Sequence, residues 1–132
     1  MSNPAQASTN SSIRLLLIDD SDIFLSAIQR FLSRDSRFLT LAAMQHPDEA
    51  IALPREPAPQ VILLDVLLGD QFGIRHIAPL KEKWPQVKIV VLTFSAVEQY
   101  RDWALGAGAD AFVSKLYVAT DLVPAIERVL RS

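Results

Sequence analysis

The chain has 132 residues, half of them hydrophobic, with a net charge of −2 and no cysteine. One domain accounts for that length, since domains hold roughly 100–200 residues, and the apolar fraction excludes disorder over most of the chain. Interspersed acids and bases exclude the basic stripe that direct nucleic-acid binding needs, and the missing thiols exclude disulfides, thiolate metal sites and cysteine nucleophiles.

Residues 1–12 are polar and small, without the basic start or apolar stretch of a signal peptide. They are expected to form a flexible tail, leaving residues 13–132 as the domain. No apolar run approaches the roughly 18 residues of a membrane helix, so no membrane association is expected and a cytoplasmic location fits. Short apolar runs then alternate with longer amphipathic stretches, the pattern of βαβ units around a parallel sheet. Ile13–Ile18 is the first strand, and its unbroken Leu-Leu-Leu-Ile suits burial on both faces. It stops at Asp19 and Asp20. Ser21 is placed to cap a helix in which Phe24, Leu25, Ile28, Phe31 and Leu32 recur at helical spacing. Phe38–Met44 reads as a second strand and Pro47–Leu53 as a short helix with Pro at its start and acids in its first turn.

Pro54, Pro57 and Pro59 mark a connection to the third strand, Val61–Leu64, which ends at Asp65. A loop with Gly69 and Gly73 leads to a helix over Ile74–Lys83, which Pro79 is expected to kink or split. Val87–Leu92 is the fourth strand and ends at Thr93. Val97–Leu105 is helical and closes at Gly106 and Gly108. Ala111–Ser114, the fifth strand, ends at Lys115, and a final helix spans Thr120–Leu130 with Pro124 in or near its first turn. The expected fold is thus α/β, with five strands and five helices.

Asp19, Asp20, Asp65, Thr93 and Lys115 each follow the apolar run of a strand. Open α/β sheets bind ligands outside the carboxyl ends of their strands, so these residues should meet in one cleft. Three carboxylates at about 4 Å repel by about 4 kcal/mol per pair at an effective dielectric near 20. A hard divalent cation relieves this, and Mg²⁺ favours a few oxygen ligands, waters and phosphate. One carboxylate can then attack phosphorus, with Lys115 and the Thr93 hydroxyl offsetting charge on the transferred oxygens. Singly, each residue has an ordinary reading: a carboxylate after a strand caps or turns the chain, a hydroxyl bonds backbone, and a lysine is solvated. Five of them on the right strands in the right order do not.

The other chemically suggestive residues are weaker. His46 reads as a cap or surface residue, and His76, with no second His or Cys close in sequence, as a poor metal ligand. Trp84 and Trp103 read as packing residues. Gly106-Ala107-Gly108 lacks a third glycine and follows no strand, so it is no dinucleotide fingerprint.

Leu-Leu-Leu-Ile-Asp-Asp-Ser at 15–21, Val-Ile-Leu-Leu-Asp at 61–65, Ile-Val-Val-Leu-Thr at 89–93 and Gly-Ala-Asp-Ala-Phe-Val-Ser-Lys at 108–115 together resemble the CheY-like receiver domain of two-component response regulators. The stretch Lys-Trp-Pro-Gln-Val-Lys-Ile-Val-Val-Leu-Thr particularly resembles receivers of the NarL/FixJ type, which usually precede a helix-turn-helix DNA-binding domain; the 132 residues contain none. The resemblance implies a doubly wound, flavodoxin-like sheet of order 2-1-3-4-5. It implies Asp65 as phosphoacceptor, Asp20 as a direct Mg²⁺ ligand, Asp19 as a water-mediated one and the Leu67 carbonyl as a backbone ligand. Thr93 and Lys115 match the phosphoryl-sensing hydroxyl and ammonium, and Phe112 falls at the aromatic switch position.

The implied function is a conformational switch, phosphorylated at Asp65 by a sensor histidine kinase with Mg²⁺, pairing with a second copy or driving an output domain or effector. It is not an enzyme beyond accepting and losing its own phosphoryl group. Gly69 stands where the family commonly has Pro, Leu116 where Pro often follows the lysine, and Phe94 where a small residue usually lies beside the phosphate. Phe94 is expected to narrow access to Asp65. Gly69 and Phe94 are also the warrant for an alternative, a receiver-like interaction module that works without phosphate. A phosphatase with an aspartate nucleophile would need a second Asp two residues after Asp65, where Leu67 stands.

Overall fold

A computed structural model describes residues 12–65, 72–94 and 98–132. Its strands are β1 (Ile13–Ile18), β2 (Phe38–Met44), β3 (Val61–Asp65), β4 (Lys88–Thr93) and β5 (Ala111–Ser114). They form one parallel sheet in the order β2-β1-β3-β4-β5. The helices are α1 (Asp22–Leu32), α2 (Pro47–Ile51), α3 (Phe72–Arg75), α4 (Ile77–Lys83), α5 (Glu98–Gly106) and α6 (Val118–Arg131). The expected five helical connections are present, the third broken into α3 and α4.

Successive strand side chains point to opposite faces of the sheet, and here both faces are apolar, so two cores form. Leu16, Ile18, Ile62, Leu64, Ile89 and Val91 pack against Ile77, Leu80, Trp84, Tyr100 and Ala104. Leu15, Leu17, Val61, Leu63, Val90 and Leu92 pack against Leu25, Ile28, Leu32, Leu122, Ile126 and Val129. This double cover is why β1 and β3 read as unbroken apolar runs rather than alternating ones.

The break at Pro79 follows from its ring chemistry. Pro79 is the third residue of α4, in a first turn whose backbone N–H groups have no intrahelical partner in any case. The helical path therefore restarts after His76 instead of running through from Ile74. The last helix starts earlier than its sequence pattern suggests. Lys115–Tyr117 forms a 3₁₀ turn, in which the Ser114 hydroxyl accepts the Leu116 N–H at 3.1 Å, and this turn leads directly into α6 at Val118. Pro124 consequently lies inside α6, where it removes one helical donor; burial of Leu122, Ala125, Ile126 and Val129 holds the helix across it. Trp84 is 5% exposed, and its indole N–H donates to the Arg55 carbonyl at 2.9 Å. Trp103, by contrast, is 41% exposed on α5, since the buried stripe of that helix passes through Tyr100 and Ala104.

The end of α5 is a Schellman motif. The Ala109 N–H donates to the Ala104 carbonyl at 3.0 Å and the Gly108 N–H to that of Leu105 at 3.1 Å. Gly108 has φ +112°, and an added Cβ would lie 3.4 Å from Ile77. Gly108→Ala is therefore expected to destabilise the protein by about 1–2 kcal/mol through backbone strain, seen as a lower urea midpoint with an unchanged denaturant slope.

Candidate functional site

The register of the sheet brings the polar strand ends to one edge. Ile18 pairs with Leu64, so Asp19 and Asp65 are the next residues on neighbouring strands. Asp65 pairs with Leu92, and Thr93 with Ser114, which precedes Lys115. The strand order reverses between β1 and β3, so the cleft lies at the switch point of the fold. Ligand oxygens of Asp19, Asp20 and Asp65 all lie within 4.8 Å of one another.

Asp19 is fixed from two sides. One carboxylate oxygen accepts the Ser21 N–H at 2.8 Å and the other the Lys115 ammonium at 2.6 Å. The same ammonium lies 3.0 Å from Asp65 Oδ1. The side chains of Lys115, Asp19 and Asp65 are only 5%, 4% and 7% exposed, whereas Asp20 is exposed. Thr93 is buried at the end of β4. Burial pushes the Asp65 carboxyl up to about 6; the Asp19 charge adds to this, Lys115 opposes it, and Asp20 contributes least. One buried ammonium thus balances only part of the charge of three carboxylates. Their all-oxygen donor set and close spacing suit a hard divalent cation such as Mg²⁺.

Phe112 is half-buried opposite Val91 and packs against the core that holds Tyr100 and Ala104. The Leu67 carbonyl and Gly69 lie outside the described residues, as does the tail through residue 11. Two aromatic contacts at the site were not legible as such in the sequence. The Lys115 ammonium sits 4.0 Å from the centroid of the Phe24 ring and 5.3 Å from that of Phe94. Phe24 belongs to the helical apolar stripe, and only the fold reveals that its ring faces Lys115. His46 caps α2 by accepting the Asp48 N–H at 3.1 Å. His76 has a second histidine beside it after all, the His46 ring lying edge-on at 5.7 Å, because α2 and α4 pack side by side.

A groove of about 500 Å³, lined in part by Arg14, Gln60, Trp84 and Lys88, lies at the opposite, amino-terminal edge of the sheet. None of Asp19, Asp20, Asp65 and Lys115 lines it. Convergent titratable groups, one of them perturbed, mark the acidic edge as the better site candidate.

Residues 15–127 match the response regulator receiver domain. The chain belongs to that family. Phosphorylation-dependent switching is the family's standard function, and its members receive phosphoryl groups from sensor histidine kinases and bind Mg²⁺ at an acidic cluster of this kind. The receiver is 32% identical over 122 residues to the response regulator protein VraR of Staphylococcus aureus (strain NCTC 8325 / PS 47), covering 91% of this chain and 57% of that protein. It therefore spans little more than half the length of this relative. Among solved structures, a LuxR-family two-component response regulator from Aurantimonas sp. SI85-9A1 superposes with a TM-score of 0.81 at 28% identity, over 92% of this chain and 86% of that one. A Burkholderia pseudomallei response regulator with a phosphorylated aspartic acid, calcium ion and citrate aligns at TM-score 0.73 and 30% identity, covering 86% and 66% of the two chains. No helix among the described residues is long and apolar enough to cross a membrane.

The raised Asp65 carboxyl makes a pH prediction. A carboxyl whose folded value exceeds its unfolded value of about 4 weakens the fold as pH rises from there towards 6, and the penalty is complete above that. Without divalent cations, Asp65→Asn is expected to be more stable than the parent at pH 7.5, by on the order of 1–3 kcal/mol, with the gap closing at pH 4. Urea denaturation at the two pH values measures this.

Proposed function

We propose that this receiver accepts a phosphoryl group on Asp65 from a sensor histidine kinase. The observation that carries the reading is the convergence of Asp65 with Asp19, Asp20 and Lys115 at one sheet edge in a chain of this family. An Asp65 oxygen attacks phosphorus of the phosphohistidine. The O–P bond forms as the N–P bond breaks, and the imidazole leaves with the electron pair and takes a proton from solvent. Reset is hydrolysis, in which water attacks phosphorus, the carboxylate leaves with the O–P electron pair, and the water protons pass to phosphate and solvent. The protein is thus a phosphoryl acceptor that at most hydrolyses its own adduct. The phosphorylated aspartic acid in the Burkholderia pseudomallei relative supports the same chemistry here.

Asp20, Asp19, Asp65 and the Leu67 carbonyl would hold Mg²⁺, which when bound neutralises charge on the phosphoryl oxygens. Lys115 turns from Asp65 to a phosphoryl oxygen, and the Thr93 hydroxyl donates to another. Covalent addition of a single phosphoryl group from acetyl phosphate is expected by intact mass. It should be lost in Asp65→Asn, and Asp20→Ala should abolish the heat of Mg²⁺ binding. An adduct persisting in Asp65→Asn would assign the acceptor elsewhere.

The output we infer runs through Phe112. Movement of Thr93 towards the phosphate vacates space for the half-buried Phe112 ring, which lacks the hydroxyl that would anchor a tyrosine at either end of its travel. Its bias rests on burial, worth about 1.5–3 kcal/mol for a complete phenyl transfer, so the switch is loosely poised. The altered α5 surface then pairs with a second copy or with an output domain or effector, a DNA-binding domain being the usual one in NarL/FixJ-type regulators. With beryllofluoride, sedimentation equilibrium is expected to show dimerisation and amide exchange to change over residues 98–130. No change in either, despite a proven adduct, would rule out this route.

A further inference from the structure

Two carboxylates and two aromatic rings surround one ammonium in this site, and the family reading uses only the carboxylates. The Lys115 Nζ lies 4.0 Å from the Phe24 ring centroid and 5.3 Å from that of Phe94, and the two rings meet edge to face at 6.5 Å. The Lys115 side chain is 5% exposed, while Phe94 leaves 61% of its surface in solvent. An apolar ring so exposed gains little from burial, so its place beside the ammonium calls for another attraction. The negative face of an aromatic ring supplies one.

The position of Phe24 follows from the first acidic loop. Asp19 accepts the Ser21 N–H, and the Ser21 hydroxyl accepts the Phe24 N–H at 3.2 Å. The carboxylate that holds Lys115 from one side is thereby tied, through two hydrogen bonds, to the ring that covers it from another. During transfer Lys115 has to exchange an Asp65 oxygen for a phosphoryl oxygen. A carboxylate holds an ammonium through directional hydrogen bonds, whereas a ring face attracts it over a broad range of positions. Rings beside Lys115 therefore keep the charge dry and close while it changes acceptor.

We propose that Phe24 and Phe94 form an aromatic clamp on Lys115, with Phe24 as the main positioning residue and Phe94 as its weaker partner. This rests on the reading of Asp65 as the phosphoacceptor. The clamp acts through Lys115 alone and touches no reacting atom.

The test replaces Phe24 by phenylalanines carrying one, two and three ring fluorines, which weaken the ring's negative face with little change in size. In the full chain with Mg²⁺, beryllofluoride affinity and the phosphorylation rate with acetyl phosphate are expected to fall stepwise, by about three- to thirty-fold across the series. Phe24→Trp should retain the parent values, Phe24→Leu should match the trifluorinated ring, and Phe94→Leu should lose less. Equal values across the fluorinated series, or full activity in Phe24→Leu, would overturn the clamp while leaving the acceptor reading intact. A parent protein that forms no adduct with either reagent would overturn both. Should Phe24→Leu fail to fold, the fluorinated series still decides.

Discussion

The Lys115 ammonium sits between carboxylate oxygens of Asp19 at 2.6 Å and Asp65 at 3.0 Å, all three side chains nearly closed to solvent. Removing charges from water is costly, and a buried set of this kind persists only where the partners meet with good geometry. That geometry ties the start of the sheet to its end, since Asp19 follows β1, Asp65 ends β3 and Lys115 follows β5. Deleting Lys115 would leave two buried carboxylates without their counter-charge, a loss of about 3–5 kcal/mol in comparable cases. The triad is therefore a structural joint as well as a chemical site.

The same triad is electrically unfinished. With Asp20 added, three carboxylates lie together with one lysine among them, and burial, with the Asp19 charge second, holds the Asp65 carboxyl above its ordinary value. A protein selected for stability alone would replace such a cluster with apolar residues. In a chain of the receiver family, such a cluster at the switch point of the sheet suits the binding of a divalent cation.

The helices around the site differ in how firmly they are held. The helix α6 buries Leu122, Ala125, Ile126 and Val129, whereas α5 buries only Tyr100 and Ala104 and leaves Trp103 41% and Leu105 38% exposed. Few buried apolar contacts place α5 at the low-stability end of the fold, where elements that move in switching are found. It follows β4, whose last residue is Thr93, and precedes β5, which carries Phe112. A shift of either strand end thus reaches this lightly anchored helix directly.

Much of this was legible in the chain itself. Unbroken apolar runs reveal strands buried on both faces, Ser21 and Pro47 begin helices through local hydrogen bonding and ring geometry, and a polar residue after each of four runs points to a common edge. Those signals are local, and local physics sets them. What depended on packing was less visible. The start of α6 is decided by a 3₁₀ turn after Lys115, and Pro124 is tolerated only because its neighbours are buried. His46 and His76 meet because α2 packs against α4, and the Phe24 and Phe94 rings meet Lys115 because β1, β4 and β5 end at the same height. Sequence determined which side chains carry charge and which are apolar; only the tertiary structure decided which of them face one another, because contacts between residues as far apart as Phe24 and Lys115 arise from sheet register and leave no periodic trace along the chain.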